Sequence, residues 1–147
     1  MILERRKTKN LSRLALARFA NQAQRAARLS GEVNILLTGD AEMQRLNSQF
    51  RHHDTPTDVL SFPAISAATG GDIAISLQTA RLQAAAAGHD LLTEVKVLIL
   101  HGMLHLAGHD HETDRGQMRR LEQKLRAEFH LNAGLIERTV PARVRGT

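Results

Sequence analysis

The segment from Leu91 to Leu106 constrains the fold more than any other part of the chain. Its apolar residues fall on nearly every side of a helix instead of along one stripe. Such a helix is stable only when other elements surround it, so the sequence predicts a buried central helix. Asp90 is placed to cap its first turn, and Gly108 is placed to end it in a left-handed conformation.

Shorter periodic segments predict the elements that surround this helix. Helical spacing of apolar residues predicts four further helices, at 11–29, at 41–50 with Asp40 as its cap, at 77–87, and over Met118 to Phe129. Alternation predicts strands near 33–37, 57–62 and 72–76, the last two forming a hairpin around a loop at 64–71. We therefore expect one α+β domain over residues 1–147, with a small mixed sheet of about three to four strands and about five helices.

The charge balance favours a polyanionic partner. The chain has 20 Lys and Arg against 15 Asp and Glu, a formal net charge of +5, and basic arms at about 1–10 and 138–147. With four Phe and neither Trp nor Tyr, a base-stacking platform is not expected. The absence of cysteine excludes thiolate metal sites and fits a reducing cytoplasm, and no apolar run is long enough for a membrane span.

Four of the eight histidines lie in the segment HGMLHLAGHDH, residues 101–111. His101 and His105 are one turn apart on the same helical face, and Gly108 lets the chain turn so that His111 can return toward them. Three neutral imidazoles that leave a fourth position for water are the ligands of a catalytic zinc. The spacing therefore predicts a metal centre on these three histidines.

The same spacing occurs in zinc peptidases, whose pattern is H-E-x-x-H-x-x-G-x-x-H. Here Gly102 stands where a peptidase has its general-base glutamate, so the scaffold lacks that base. Gly102 indicates either a close approach by another backbone or by substrate, or close helix packing. His109 is open to three interpretations, as a fourth ligand, a proton shuttle or a surface residue, and Asp110 can orient an imidazole.

Arg51 is the candidate phosphate-binding residue. It follows the second predicted helix and precedes a turn that contains Pro56. A guanidinium there can bind a phosphate through two hydrogen bonds and stabilise developing negative charge, although a basic chain also has many plain surface arginines. Thr57 and Asp58 are expected to hold the turn through side-chain hydrogen bonds to the backbone.

Taken together, three blocks of this sequence resemble the YbeY family of bacterial endoribonucleases. They are LNSQFRHHDTPTDVLSFP at 46–63, GDIAIS at 71–76 and HGMLHLAGHDH at 101–111, in the order of the family. With the helix that follows, the resemblance covers most of the chain. The usual family motif has Tyr where this chain has His109.

The resemblance implies a zinc-dependent, single-strand-specific endoribonuclease that acts in 16S rRNA 3′-end maturation and late-stage ribosome quality control. It implies one zinc on His101, His105 and His111, and Arg51 as a functional arginine of the cleft. It further implies a cytoplasmic location and partners in single-stranded RNA, the small ribosomal subunit and its assembly factors, with no DNA or membrane. The alternatives are a zinc metallopeptidase-like hydrolase and a non-catalytic ribosome assembly factor with a structural metal.

Overall fold

The computed structural model describes residues 1–6, 8–51, 57–64, 69–109 and 114–131, with Arg51 described by its backbone alone. Strands and helices alternate over the first four elements, two strands then follow one another, and three consecutive helices end this part of the chain. Their order is β1 (Ile2–Glu4), α1 (Arg13–Ala26), β2 (Glu32–Thr38), α2 (Asp40–Arg51), β3 (Val59–Phe62), β4 (Thr69–Ser76), α3 (Leu77–Ala87), α4 (Leu91–Leu106) and α5 (Gln117–Glu128).

The four strands form one mixed sheet in the order β1-β2-β4-β3. Strand β2 pairs parallel with β1 and with β4, whereas β3 pairs antiparallel with β4. Ile73 in the middle of β4 lies opposite Ile35 on one side and Ser61 on the other. The predicted hairpin and the predicted α+β class are both confirmed by this sheet and the helices around it.

Helix α4 lies at the centre of the core, as its sequence predicts. Val95, Ile99, Leu100 and Leu104 are fully buried, and they pack in one apolar cluster with the central strands and with α1. Within the residues that the structure describes, no helix has both the length and the hydropathy needed to cross a membrane.

Three local predictions differ from the structure. Part of the predicted N-terminal arm is strand β1, which is too short for its alternation to be recognised, although Ile2 is buried against β2. Strand β4 begins at Thr69, inside the predicted loop, because Thr69 and Gly71 pair with the start of β2. Gly71 has a φ of 113° and lies against the backbone of β3. Asp40 is the first residue of α2, and its carboxylate accepts hydrogen bonds from hydroxyls of α3 and its cap.

The predicted turn residue Asp58 stabilises the start of β3 through two hydrogen bonds. Its Oδ1 accepts a 2.8 Å hydrogen bond from the backbone N–H of Val59. Its Oδ2 accepts a 3.2 Å bond from Gln83 on α3. Asp58 therefore ties β3 to a helix as well as holding its own turn. The C-terminal arm predicted at 138–147 lies outside the described residues.

Candidate metal centre

Helix α4 brings His101 and His105 together near its C-terminal end. Their Nε2 atoms are 3.0 Å apart, and the two half-buried rings meet at 75° with centroids 4.6 Å apart. Two nitrogens that bind one tetrahedral zinc at roughly 2.0–2.1 Å are about 3.3 Å apart. The pair therefore fits a shared metal ion, because both side chains direct their outer nitrogen at the same point.

Glu122 on α5 holds His101 from its other side. The Nδ1 of His101 lies 2.8 Å from Oε1 of Glu122, and the second oxygen of Glu122 accepts a hydrogen bond from Arg126. Burial opposes ionisation of this carboxyl, but the hydrogen bond to His101 and the charge of Arg126 outweigh it. The pKa of Glu122 is therefore lowered from its ordinary value.

The sequence reasoning did not find Glu122. The signal for it was its position on the helix, because it lies on the inward face of α5 with Met118 and Leu125. A carboxylate on an otherwise apolar face needs a buried partner. His101 on the facing helix is that partner.

The end of α4 turns the chain in the way that the predicted role of His111 requires. Gly108 has a φ of 101°, its N–H donates to the carbonyl of His105, and the N–H of His109 donates to the carbonyl of Leu104. This pair of bonds is a Schellman motif, which ends a helix and reverses the chain. His109 itself is half-buried.

The other predicted members of the cluster, His111 and Asp110, lie outside the described residues. Within the part of the chain that is described, no three His, Asp or Glu side chains meet in a metal-binding arrangement. The assignment of His111 as the third ligand therefore stays a prediction.

Gly102 faces the sheet, and the packing interpretation accounts for it. A Cβ at this position would lie 2.9 Å from Cδ1 and 3.2 Å from Cγ1 of Ile73, which is itself 1% exposed. The Oγ of Ser61 donates to the carbonyl of Gly102 at 3.3 Å, so β3 also contacts the helix here. A peptidase-type glutamate would have no room at this position.

Arg51 is the last residue of α2, and its side chain lies outside the described part of the structure. Its neighbour Phe50 packs edge-on against Phe62, with ring centroids 5.5 Å apart. Phe62 follows Ser61, which contacts α4 at Gly102. The end of α2 therefore packs against β3, the strand that also contacts α4.

Comparison with known proteins decides the family. A family model for endoribonuclease YbeY matches residues 2–130. The chain belongs to the YbeY endoribonuclease family. The YbeY of Koribacter versatilis is 48% identical over 95% of this chain and 91% of its own length. The YbeY of Solibacter usitatus is 51% identical over 91% of this chain and 90% of its own.

A solved structure shares the fold of this chain. The solution structure of TM1509 from Thermotoga maritima matches with a TM-score of 0.59 and 29% identity, over 91% of this chain and 95% of that one. YbeY membership confirms the predicted enzyme class, a nuclease among the hydrolases. Family membership also favours a nuclease over a peptidase, a choice that the histidine spacing alone left open.

Proposed function

We propose that this chain is a zinc-dependent, single-strand-specific endoribonuclease that matures the 3′ end of 16S rRNA and takes part in late-stage ribosome quality control. The observation that supports the metal is the pair of Nε2 atoms of His101 and His105, 3.0 Å apart in a chain of this family. We place its action in the cytoplasm, on the small ribosomal subunit and together with its assembly factors.

In this proposal His101, His105 and His111 hold the zinc. When bound, zinc polarises a phosphoryl oxygen and lowers the pKa of a bound water, which is the chemistry needed to hydrolyse a phosphodiester. Glu122 accepts a hydrogen bond from the Nδ1–H of His101, so the Nε2 of that ring carries no proton. Arg51 binds the scissile phosphate and stabilises the negative charge that develops on it.

Two substitutions separate the metal from the phosphate. His105→Ala is expected to abolish both zinc retention and cleavage of single-stranded RNA. Arg51→Ala is expected to retain zinc and to lower kcat/KM by about 100- to 1000-fold, the usual loss when one charge-stabilising donor is removed. The measurements are elemental analysis of the purified protein and cleavage of a labelled oligoribonucleotide.

Arg45→Ala is the matched control, because Arg45 lies on the same helix as Arg51 and its side chain is 67% exposed. It is expected to keep both zinc and activity. Cleavage at the wild-type rate by a metal-free His105→Ala preparation would refute the zinc mechanism. Digestion of denatured casein by the wild type, with no RNA cleavage, would favour the peptidase-like alternative.

The rRNA substrate needs its own test. Purified small subunits that carry a 3′-extended 16S rRNA are compared with the same RNA stripped of protein and with an unrelated duplex. We expect cleavage at the extended 3′ end and none of the duplex. Equal cleavage of all three RNAs would contradict the proposed specificity.

A further inference from the structure

We propose that Glu122 and Arg126 are positioning residues of the metal centre, which together hold His101 in the tautomer whose Nε2 carries no proton and can therefore bind metal. The inference rests on the proposed function for the identity of the metal. It deepens that proposal by assigning a role to α5, which contributes none of the three predicted ligands.

The contact between Glu122 and His101 determines where the ring proton lies. An ionised carboxylate can only accept hydrogen bonds, so across the 2.8 Å contact the proton must be on Nδ1 of His101. The Nε2 of the same ring is then unprotonated and faces Nε2 of His105 at 3.0 Å. Histidines that bind metals commonly have such a carboxylate behind them, which fixes the tautomer and the ring orientation.

Arg126 gives Glu122 its fixed geometry. It lies one turn further along α5 and donates to the second carboxylate oxygen, so each oxygen of Glu122 has a different partner. The side chains of Glu122 and Arg126 are only 12% and 18% exposed. Because the pair is largely shielded from water, loss of Glu122 would leave the charge of Arg126 uncompensated, and loss of Arg126 would leave only His101 to orient Glu122.

Replacement of Glu122 by glutamine is expected to favour the tautomer of His101 that cannot bind metal through Nε2. Arg126 can only donate, so the amide oxygen of the new side chain turns toward it and the NH₂ group turns toward His101. Nδ1 of His101 must then accept, which moves the ring proton to Nε2 and blocks the metal-binding nitrogen. If Arg126 is also replaced by methionine, the amide is free to turn back and accept from Nδ1.

The test measures zinc affinity alone, by competition with a chelating dye, on the full chain. Glu122→Gln is expected to weaken zinc binding by about 10- to 100-fold, the usual effect of losing such a partner. The double variant Glu122→Gln/Arg126→Met is expected to recover at least a third of that loss on a logarithmic scale. Glu128→Gln, an exposed change at the end of the same helix, should match the wild type.

If Glu122 has only a structural role, the double variant should bind zinc no better than Glu122→Gln, because the second substitution would disturb the same contact further. Wild-type affinity in Glu122→Gln, or a double variant that binds zinc no better than the single variant, would therefore overturn the inference. Tight zinc binding by the wild type in the same titration leaves the proposed function standing in either case. No zinc binding by the wild type would overturn both.

A second measurement needs no variant and remains valid if Glu122→Gln fails to fold. Ring-nitrogen NMR of the wild-type chain, with zinc removed by a chelator at pH 8, reports the tautomer of each histidine. We expect His101 to carry its proton on Nδ1. A ring that carries its proton mainly on Nε2 would show that Glu122 does not set the tautomer.

Discussion

Because residue 102 has no side chain, α4 can pack closely on the sheet beside the candidate site. Gly102, the residue after His101, lets α4 lie against Ile73 of β4. The side of the helix that carries the histidines is thereby separated from the side that packs on the sheet. The pattern of the sequence left this glycine between a packing role and a role toward substrate, and the neighbouring atoms support the packing role.

Gly102→Ala is expected to destabilise the protein. The added methyl group would meet Ile73 at 2.9 Å in the core, where overpacking costs about 1–3 kcal/mol. Alanine recovers about 1 kcal/mol of helix propensity, so we expect the free energy of unfolding in urea to fall by about 1 kcal/mol. In an Ile73→Val background the nearest atom, Cδ1, is absent, and the loss should shrink. A Gly102→Ala variant more stable than the wild type would contradict the packing interpretation.

At the scale of the residue, spacing predicted the histidine pair because positions four apart in a helix share a face. It did not predict Glu122, because the contact joins residues 21 positions apart and depends on how α5 docks. A single sequence carries no direct signal for such docking. Only the polar residue on an apolar helix face pointed to it.

At the scale of the element, α4 is held at its first turn by Asp90. The carboxylate accepts a 2.8 Å hydrogen bond from the N–H of Thr93, as the sequence predicted. The hydrogen bonds from the side chain and the backbone of Thr93 lower the pKa of Asp90 from its ordinary value. The cap is therefore strongest when the carboxyl is ionised.

This lowered pKa predicts a pH-dependent contribution to stability. A carboxyl whose pKa falls on folding stabilises the protein above its unfolded pKa of about 3.9 and loses that contribution as the pH drops through its folded pKa. Asp90→Asn keeps a capping oxygen that does not titrate. Between pH 6 and pH 3 the wild type should therefore lose more unfolding free energy than Asp90→Asn does.

Ser12 is the matched control for this experiment. Its hydroxyl caps α1 through a 3.1 Å hydrogen bond from the N–H of Ala15 and does not titrate in this range. Ser12→Ala should cost about 1 kcal/mol at both pH values. A wild-type to Asp90→Asn difference that stays constant with pH would show that ionisation of Asp90 does not support the cap.

Elements with a strong internal pattern were predicted well, and elements defined by their partners were not. Helix α3 has its predicted bounds, and α4 is ended by a left-handed Gly108 as expected. Strand β1 has only three residues, and its place at the edge of the sheet comes from pairing with β2. No local pattern records such a pairing.

At the scale of the whole molecule, the positive charge is the property most relevant to the proposed RNA substrate. The formal net charge is +5, and exposed arginines lie on several elements. Binding through phosphates releases counterions and therefore weakens as salt increases. Composition alone predicted this property, because it requires no knowledge of the fold.

Affinity for a single-stranded oligoribonucleotide is expected to fall steeply with salt. If four phosphates are contacted, the logarithmic slope is about −2.8, and affinity falls about 50-fold between 50 and 200 mM salt. The measurement is a fluorescence anisotropy titration with the uncleaving His105→Ala variant. An affinity that does not change with salt would contradict phosphate-based binding.

The central position of α4 also limits how the site can be altered. Most of α4 is committed to the core, so changes along it carry a risk to folding. Helix α5 contacts His101 through Glu122 but exposes Arg119, Gln123 and Lys124 to solvent. Substitutions meant to alter the surroundings of His101 therefore have more freedom on α5 than on α4. The helix that carries none of the proposed ligands is thus the more adjustable of the two.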